Sequence, residues 1–253
     1  MIQLKSAREL DVMAQGGRIL AGTLAMLRDE VRPGVSTADL DRLAEDFIRG
    51  HDGAVPAFKG LYGFPGSVCI SLNNEIVHGI PSKKRVLRDG DIVTLDAGVR
   101  FAGYYTDSAM TVPVGDVDET TQRLLDVTRA SLEAGIAAAR VGNHIGDIGA
   151  AVQAVVEAAG FSVVRDLVGH GIGVGPHEEP QVPNYGKPKR GPKLSAGLTI
   201  AIEPMVNVGG PGTRTMPDKW TVVTADGSRS AHFEHTVAVT ENGPMILTAG
   251  PRP

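Results

Sequence analysis

Apolar residues recur at helical spacing in four stretches of the chain. Over residues 6–30, Leu10, Met13, Ala14, Ile19, Leu20, Leu24 and Leu27 follow a period near 3.6, and Ser6 with Glu9 makes a capping box. This predicts an amphipathic helix. A second helix is expected after RPGVS, capped by Ser36 or Thr37, with Leu40, Leu43, Phe47 and Ile48 as its apolar stripe. A third is expected over about 120–140 and a fourth over about 145–159. Between the helices lie β-branched runs bounded by Gly, Asp and Pro: SVCISL, DIVTLDAGV, YYTDSAMTV, LTIAIEPMV, WTVVTA and HFEHTVAVT. Runs of helices and runs of strands in this order point to α+β layers rather than a strictly parallel sheet.

The two halves echo each other. RPGVSTADLDRLAEDFI (32–48) aligns with RVGNHIGDIGAAVQAVV (140–156) at an offset of 108, matching Gly34 to Gly142 and Asp39 to Asp147. LRDGDIVTLD (87–96) aligns with LSAGLTIAIE (194–203) at an offset of 107. Amphipathic segments can resemble one another by chance, but two helix-then-strand blocks at nearly one separation favour a duplicated unit with facing halves. Asp96 and Glu203 then hold equivalent positions, each closing an apolar strand.

At 253 residues the chain can bury a sizeable core, as one large domain or two small ones. It is 42% hydrophobic and 21% charged with a net charge of −4, a balance that gives no nucleic-acid footprint. The basic stretches around Lys83–Arg85 and Lys187–Lys193 are short, lie among Gly and Pro, and read as solvated loops. A single cysteine, Cys69, fits a reducing compartment. MIQLKSARELDVMAQ has no apolar core of a secretory signal, and no apolar run approaches the ~18 residues of a membrane span. The expectation is a cytoplasmic protein that binds neither membrane nor nucleic acid.

Acidic residues interrupt the apolar strands. Asp96 and Asp107 lie on the arms of an expected hairpin, DIVTLDAGVRFAGYYTDSAMTV. With a turn centred on Phe101 and Ala102, paired residues sum to 203, and the two carboxylates stand directly opposite with Cβ atoms roughly 5 Å apart. Like charges so placed need a proton or a cation between them. A surface hairpin could tolerate one such pair. Glu203 within TIAIEPMV and Glu234 within AHFEHTVAV weaken that reading, because burying an ionised carboxylate costs several kcal/mol. Period-2 alternation puts Thr94 and Asp96 on one face against Val93 and Leu95. It likewise sets His232, Glu234 and Thr236 against Phe233, His235 and Val237.

His170 lies in the glycine-rich GHGIGVGPHEEP, which excludes a regular helix and admits close backbone approach. A lone loop histidine is ordinarily a surface or hydrogen-bonding residue. Beside four embedded carboxylates it reads as one nitrogen among oxygen ligands. Such a set favours manganese or iron(II), with cobalt and zinc as further options. Two ions bridged by carboxylates ~3.5–4 Å apart would generate a nucleophilic hydroxide and stabilise a tetrahedral oxyanion.

NNEIVHGIP (73–81), DIVTLDAGVRFAGYYTDSAMT, GHGIGVGPHEEPQVPNYG (169–186), TIAIEPMV and SAHFEHTVAVT together resemble the type I methionine aminopeptidases of the M24 metallopeptidase family, across nearly the whole chain. The resemblance implies the pita-bread fold, an α+β arrangement of pseudo-twofold duplicated halves around an antiparallel sheet, as a single catalytic domain over 1–253. By motif position it implies Asp96, Asp107, His170, Glu203 and Glu234 as ligands of two divalent ions, with Glu203 also the proton acceptor. It implies that His78 and His177 hydrogen-bond the substrate and stabilise or protonate the tetrahedral intermediate. Each alone would pass for an incidental loop histidine. The implied reaction releases methionine from nascent proteins and peptides whose second residue is small. Phe58, Leu61, Phe64, Cys69, Pro176 and Trp220 match the methionine pocket, with Leu61 and Pro176 standing where many members carry an aromatic. Cys69 as a nucleophile lacks an ordered Cys-His pattern.

Only 25 residues separate His177 from Glu203, too few for the helical insertion of the type II enzymes, and the start of the chain leaves no room for a zinc-finger extension. A short bacterial-type enzyme is expected, a monomer working near the ribosome. The rivals are a prolidase, whose relatives usually carry an N-terminal domain, and a binding protein that kept the fold without the chemistry. All five ligand positions and both histidines being present speaks against the second.

Overall fold

The computed structural model describes residues 2–250. Four helices form where the apolar spacing places them: α1 (Ala7–Glu30), α2 (Thr37–Arg49), α3 (Glu119–Ala138) and α4 (Ile145–Ala158). The Ser6 side chain accepts from the Glu9 N–H while Glu9 reaches back to the Ser6 N–H, closing the expected capping box. Ser36, rather than Thr37, caps α2. No described helix is long and apolar enough to cross a membrane.

One antiparallel sheet of nine strands organises the molecule. Its path runs through Ala54–Pro56, Ile92–Phe101, Tyr104–Pro113, Glu234–Thr240, Thr199–Ile202, Gly169–Gly171 and Glu178–Val182. Val68–Leu72 and Gly243–Ile246 pair off that path, and two three-stranded sheets complete the β structure. The helices share one face. Leu20, Leu24, Leu40 and Ile48 cluster with Val93, Leu95 and Val99, while Leu124, Leu132, Ile148 and Val152 cluster with Ile200, Ile202 and Val237. Alternate residues of those strands, Asp96 and Thr236 among them, must therefore face the other way.

The duplication recurs in the backbone. Gly34 N–H donates to the Leu87 carbonyl at 2.9 Å and Gly142 N–H to the Leu194 carbonyl at 3.1 Å. Isolated bridges join Ser36 to Val86 and His144 to Lys193. Both pairs of features keep the offsets of 108 and 107 found in the sequence. Gly34 and Gly142 sit at φ 91° and 92°, a left-handed conformation that glycine takes without strain.

Two local expectations are corrected. The hairpin turns at Ala102 and Gly103, with φ 48° and 90°, so that Phe101 pairs with Tyr104 and paired residues sum to 205. Gly103 is the residue that permits this two-residue turn, whereas a Phe101–Ala102 turn would need positive φ at two side-chain-bearing residues. Asp96 is thus opposite Ala109, and Asp107 opposite Gly98. A shift of two keeps both acids on one face but makes them diagonal neighbours, with backbones about 7–8 Å apart. Second, two expected strands are each broken beside an acid. LTIAIEPMV divides into Thr199–Ile202 and Met205–Asn207, and HFEHTVAVT enters Ser230–His232 and Glu234–Thr240, with the pieces in different sheets. Pro204 lacks the N–H that would continue the ladder after Glu203.

Gly17 on α1 meets the Leu247 carbonyl so closely that a Cβ there would lie 2.0 Å from the oxygen. Gly17→Ala should therefore lower stability to urea by about 1–3 kcal/mol, in place of the ~1 kcal/mol gain usual in a helix interior. An unchanged or raised unfolding midpoint would refute this packing.

Candidate active site

Register assembles the acids on the face opposite the helices. Asp96 and Glu234 both pair with Ala109, one from each side, giving a row of carboxylate, methyl and carboxylate. Asp107 lies two residues before Ala109 and so on the same face. The pairing of His235 with Ile202, extended by one residue, sets Glu203 beside Glu234. Ala109 puts only a methyl between Asp96 and Glu234, while Gly98 makes room for a neighbouring side chain. A Cβ at Gly98 would lie 2.9 Å from Phe58, so the missing side chain admits an aromatic wall next to Asp107.

The row crosses the seam between the two halves. Tyr104–Pro113 and Glu234–Thr240 share only two register pairs, and hydroxyls close the gap. Thr236 Oγ1 donates to the Asp107 carbonyl and accepts from the Asp107 N–H, at 2.7 and 2.8 Å. Thr111 Oγ1 does the same with the backbone of His232, and Ser108 Oγ donates to the Glu234 carbonyl.

His170 sits on the short strand Gly169–Gly171 rather than in an irregular loop. Its Nδ1 lies 2.9 Å from the Gly171 carbonyl, which can only accept, so Nδ1 carries the hydrogen and Nε2 presents a lone pair 3.5 Å from Glu203 Oε1. His177 packs edge-on against His170 at 4.5 Å between ring centres, and Tyr62 stacks on His177 at 6.0 Å. His78 stands across the cavity, edge-on to Trp220 at 6.3 Å. Its backbone is left-handed, with φ 60°, a cost of order 1–3 kcal/mol that structures bear mainly at functional positions.

The electrostatics of the cluster follow from burial and like charge. Loss of water raises the pKa of Asp96, Glu203 and Glu234 well above the carboxylate range, with their mutual repulsion and that of Asp107 adding to it. Burial pushes Asp107 up to about 7. The histidines move the other way: burial, then the neighbouring His177, takes His170 down to about 4. His78 is lowered by burial and by His177, and partial loss of water lowers His177, which stands exposed at the mouth. Burial raises the Cys69 thiol, with Asp96 adding to the effect.

A divalent cation fits this set. Asp96 Oδ1, Asp107 Oδ1 and Glu234 Oε1 are buried and accept no hydrogen bond. Asp107, His170 and Glu234 each offer one ligand atom within 4.8 Å of the others. No lysine or arginine stands among the lining residues to neutralise the acids.

The cavity has a volume of about 640 Å³. All five acid and imidazole positions, His78, His177, Phe58, Leu61, Phe64, Cys69 and Trp220 line it. Pro176 does not. The tight bend that joins Gly173 N–H to the Gly175 carbonyl brings His177 and Glu178 to the wall instead. Sequence reasoning gave no role to Tyr62, Met205 or His232. Tyr62 supplies an aromatic beside Leu61. His232 is fully buried, its Nε2 is 4.0 Å from Glu203 and 3.9 Å from Glu234, and neither ring nitrogen has a hydrogen-bond partner. Its place on the Glu234 face was readable from the alternation, which alone does not separate a site residue from a core histidine.

The model of metallopeptidase family M24 matches residues 11–241. The chain belongs to this family. A methionine aminopeptidase of Clostridium perfringens is 54% identical over 248 residues, covering 98% of this chain and 99% of that one. The crystal structure of the methionine aminopeptidase from Thermotoga maritima superposes with a TM-score of 0.96 at 44% identity, over 98% of this chain and 99% of that one. The pita-bread fold is also that of the prolidase from Pyrococcus furiosus, at a TM-score of 0.76 and 22% identity, where the match covers 98% of this chain and 66% of the prolidase. An M24 chain is a metal-dependent hydrolase, which agrees with the donor set above.

Removing metal should expose the carboxylate repulsion as a pH effect. Carboxyls with raised pKa hold protons in the fold that the unfolded chain has released, so stability falls as pH rises through the folded value, about 7 for Asp107. His170 and His232, lowered to about 4 and about 3, act in the opposite sense, mainly below their ordinary 6.5. Above pH 6.5 the histidine contribution, to which His78, His177 and His235 add, fades over about one pH unit while the carboxyl sign persists. The melting temperature of chelated protein should fall between pH 6.5 and 8, and that of metal-loaded protein should hold. A flat chelated profile would contradict the clustering.

Proposed function

We propose that this chain hydrolyses the first peptide bond of nascent proteins and peptides that begin with methionine followed by a small residue. The observation that carries the reading is the convergence of the buried Asp96, Asp107 and Glu234, the partly buried Glu203 and His170 at one end of a cavity whose other wall is apolar and aromatic. Asp96, Asp107, His170, Glu203 and Glu234 would hold two divalent ions, of manganese, iron(II) or cobalt, with zinc as a further option. When bound, such ions supply an activated water and Lewis acidity toward a carbonyl oxygen.

The protein's own groups do the rest. Phe58, Phe64, Leu61, Cys69 and Trp220 enclose a flexible, apolar methionine side chain. Glu203 accepts the proton of the attacking water and passes it on. His78 and His177, kept neutral at pH 7 by their lowered pKa, hydrogen-bond the peptide and the oxyanion as it forms. We treat residues 1–253 as one catalytic unit, supported by the packing of all four helices on one face of a single sheet. We also read it as a cytoplasmic monomer acting beside the ribosome, because its substrate is a product of translation and its one thiol is buried and free.

Purified protein loaded with manganese, iron(II) or cobalt should release methionine from Met-Ala-Ser, and should leave Met-Leu-Ser and Ala-Pro peptides largely intact. No release with any of the three ions would reject the function. His78→Ala or His177→Ala should lower kcat by about 10²–10³-fold with both metals retained, whereas Asp107→Ala or Glu234→Ala should lose metal. Equal metal loss in all four variants would contradict these roles. Cys69→Ala should keep turnover within several-fold, and the native thiol should resist alkylation until the protein unfolds; rapid alkylation of native protein would contradict its burial.

A further inference from the structure

The bend that carries His177 has little to hold it by itself. Gly171, Gly173 and Gly175 lie in the segment before Pro176 and His177, and glycines leave a backbone free to move. Its hold comes from a buried ion pair outside the acid cluster. Lys5 Nζ lies 2.5 Å from Glu178 Oε2, with 2% and 14% of the two side chains exposed. The second oxygen of Glu178 accepts the Gly175 N–H at 2.8 Å. Lys5 reaches Glu178 by passing over Gly173, where a Cβ would lie 2.1 Å from Lys5 Cε. At its base, Lys5 N–H donates to the Gly197 carbonyl at 2.7 Å, next to the start of the strand Thr199–Ile202 that leads to Glu203. The Gly173 carbonyl accepts from Tyr105 N–H at 2.7 Å, two residues from Asp107.

We propose that Lys5 is a positioning residue for the reaction: through its buried pair with Glu178 it fixes the 173–178 bend so that His177 faces the cavity. A carboxylate taken out of water stays charged there only if a partner compensates it, and without the ammonium Glu178 would turn toward solvent and release the Gly175 N–H. The bend would then lose its inner tie while the acids, which hang from other strands, stayed in place. The inference rests on the reading of His177 as a group that contacts the peptide. It adds that the segment before α1, remote from the acids in sequence, governs that contact.

The test uses the full-length, metal-loaded enzyme with Lys5→Met, each measured with His177 present and with His177→Ala. With His177 present, Lys5→Met should lower kcat for Met-Ala-Ser by about 10²-fold, the scale of a small misplacement of a catalytic group. On the His177→Ala background it should cost no more than about 2-fold, the ordinary error of additivity for independent sites. Metal content should not change. Amide exchange at Gly175 should quicken in Lys5→Met while exchange in Thr199–Ile202 does not. Equal losses on both backgrounds, or unchanged exchange at Gly175, would overturn the proposal. If His177→Ala alone kept full turnover, the role of His177 would fail, and the exchange at Gly175 would still decide whether Lys5 holds the bend. Should Lys5→Met not fold, Lys5→Met combined with Glu178→Met leaves neither a buried charge unpaired nor an acceptor for the Gly175 N–H. That variant should show the same His177-dependent loss, and full turnover in it would reject the role of Lys5.

Discussion

Repulsion among four carboxylates held on one face of one sheet is the constraint on which the rest of the structure depends. Burial raises the pKa of all four acids, the charge of Asp107 adds to it at Asp96, Glu203 and Glu234, and no lysine or arginine of the described wall offsets them. A protein of marginal stability keeps such a cluster only where binding a cation returns more than the cluster costs. The remaining features of the site make room for that cation. Ala109 stays small at the centre, and His170 turns a lone pair inward because its other nitrogen is tied to a carbonyl.

Duplication explains how one chain brings these groups together. Each half contributes a pair of helices packed on one side of its strands, and each sends an acid from an equivalent sequence position; Glu203 follows the end of Thr199–Ile202 as expected, whereas Asp96 lies inside Ile92–Phe101 because that strand runs on to the hairpin turn. The halves meet at a seam with few ladder bonds, where Thr236, Thr111 and Ser108 tie backbone to backbone. A fully laddered seam would serve the sheet as well. The hydroxyl-bridged one leaves Asp107 and Glu234 in adjoining strands with open space above Ala109. The helices and core supply rigidity on the opposite face, so Asp96, Asp107, His170 and Glu234 are held by β-structure, while Glu203, His78 and His177 stand on the connecting segments.

Much of this was legible in the chain. Helices follow the apolar period closely because their buried faces are long and uninterrupted, and α1 begins at its capping box. The repeat offsets carried through to matching hydrogen bonds. What eluded the pattern was set by single backbone events. Gly103 moved the hairpin turn by one residue and its register by two, Pro204 ended a strand that looked continuous, and bends in the glycine-rich stretch turned Pro176 off the wall that His177 faces. His232 shows another limit: alternation puts it on the right face, yet only coordinates reveal that its buried nitrogens lack partners and lie near two acids.

The central claim is that these acids converge around divalent ions. Anomalous diffraction from crystals grown with manganese tests it most directly, because it locates the ions without reference to activity. The account predicts two peaks roughly 3.5–4 Å apart above Ala109, bounded by Asp96, Asp107, Glu203, Glu234 and His170. Peaks elsewhere, or none at this row of carboxylates, would contradict it.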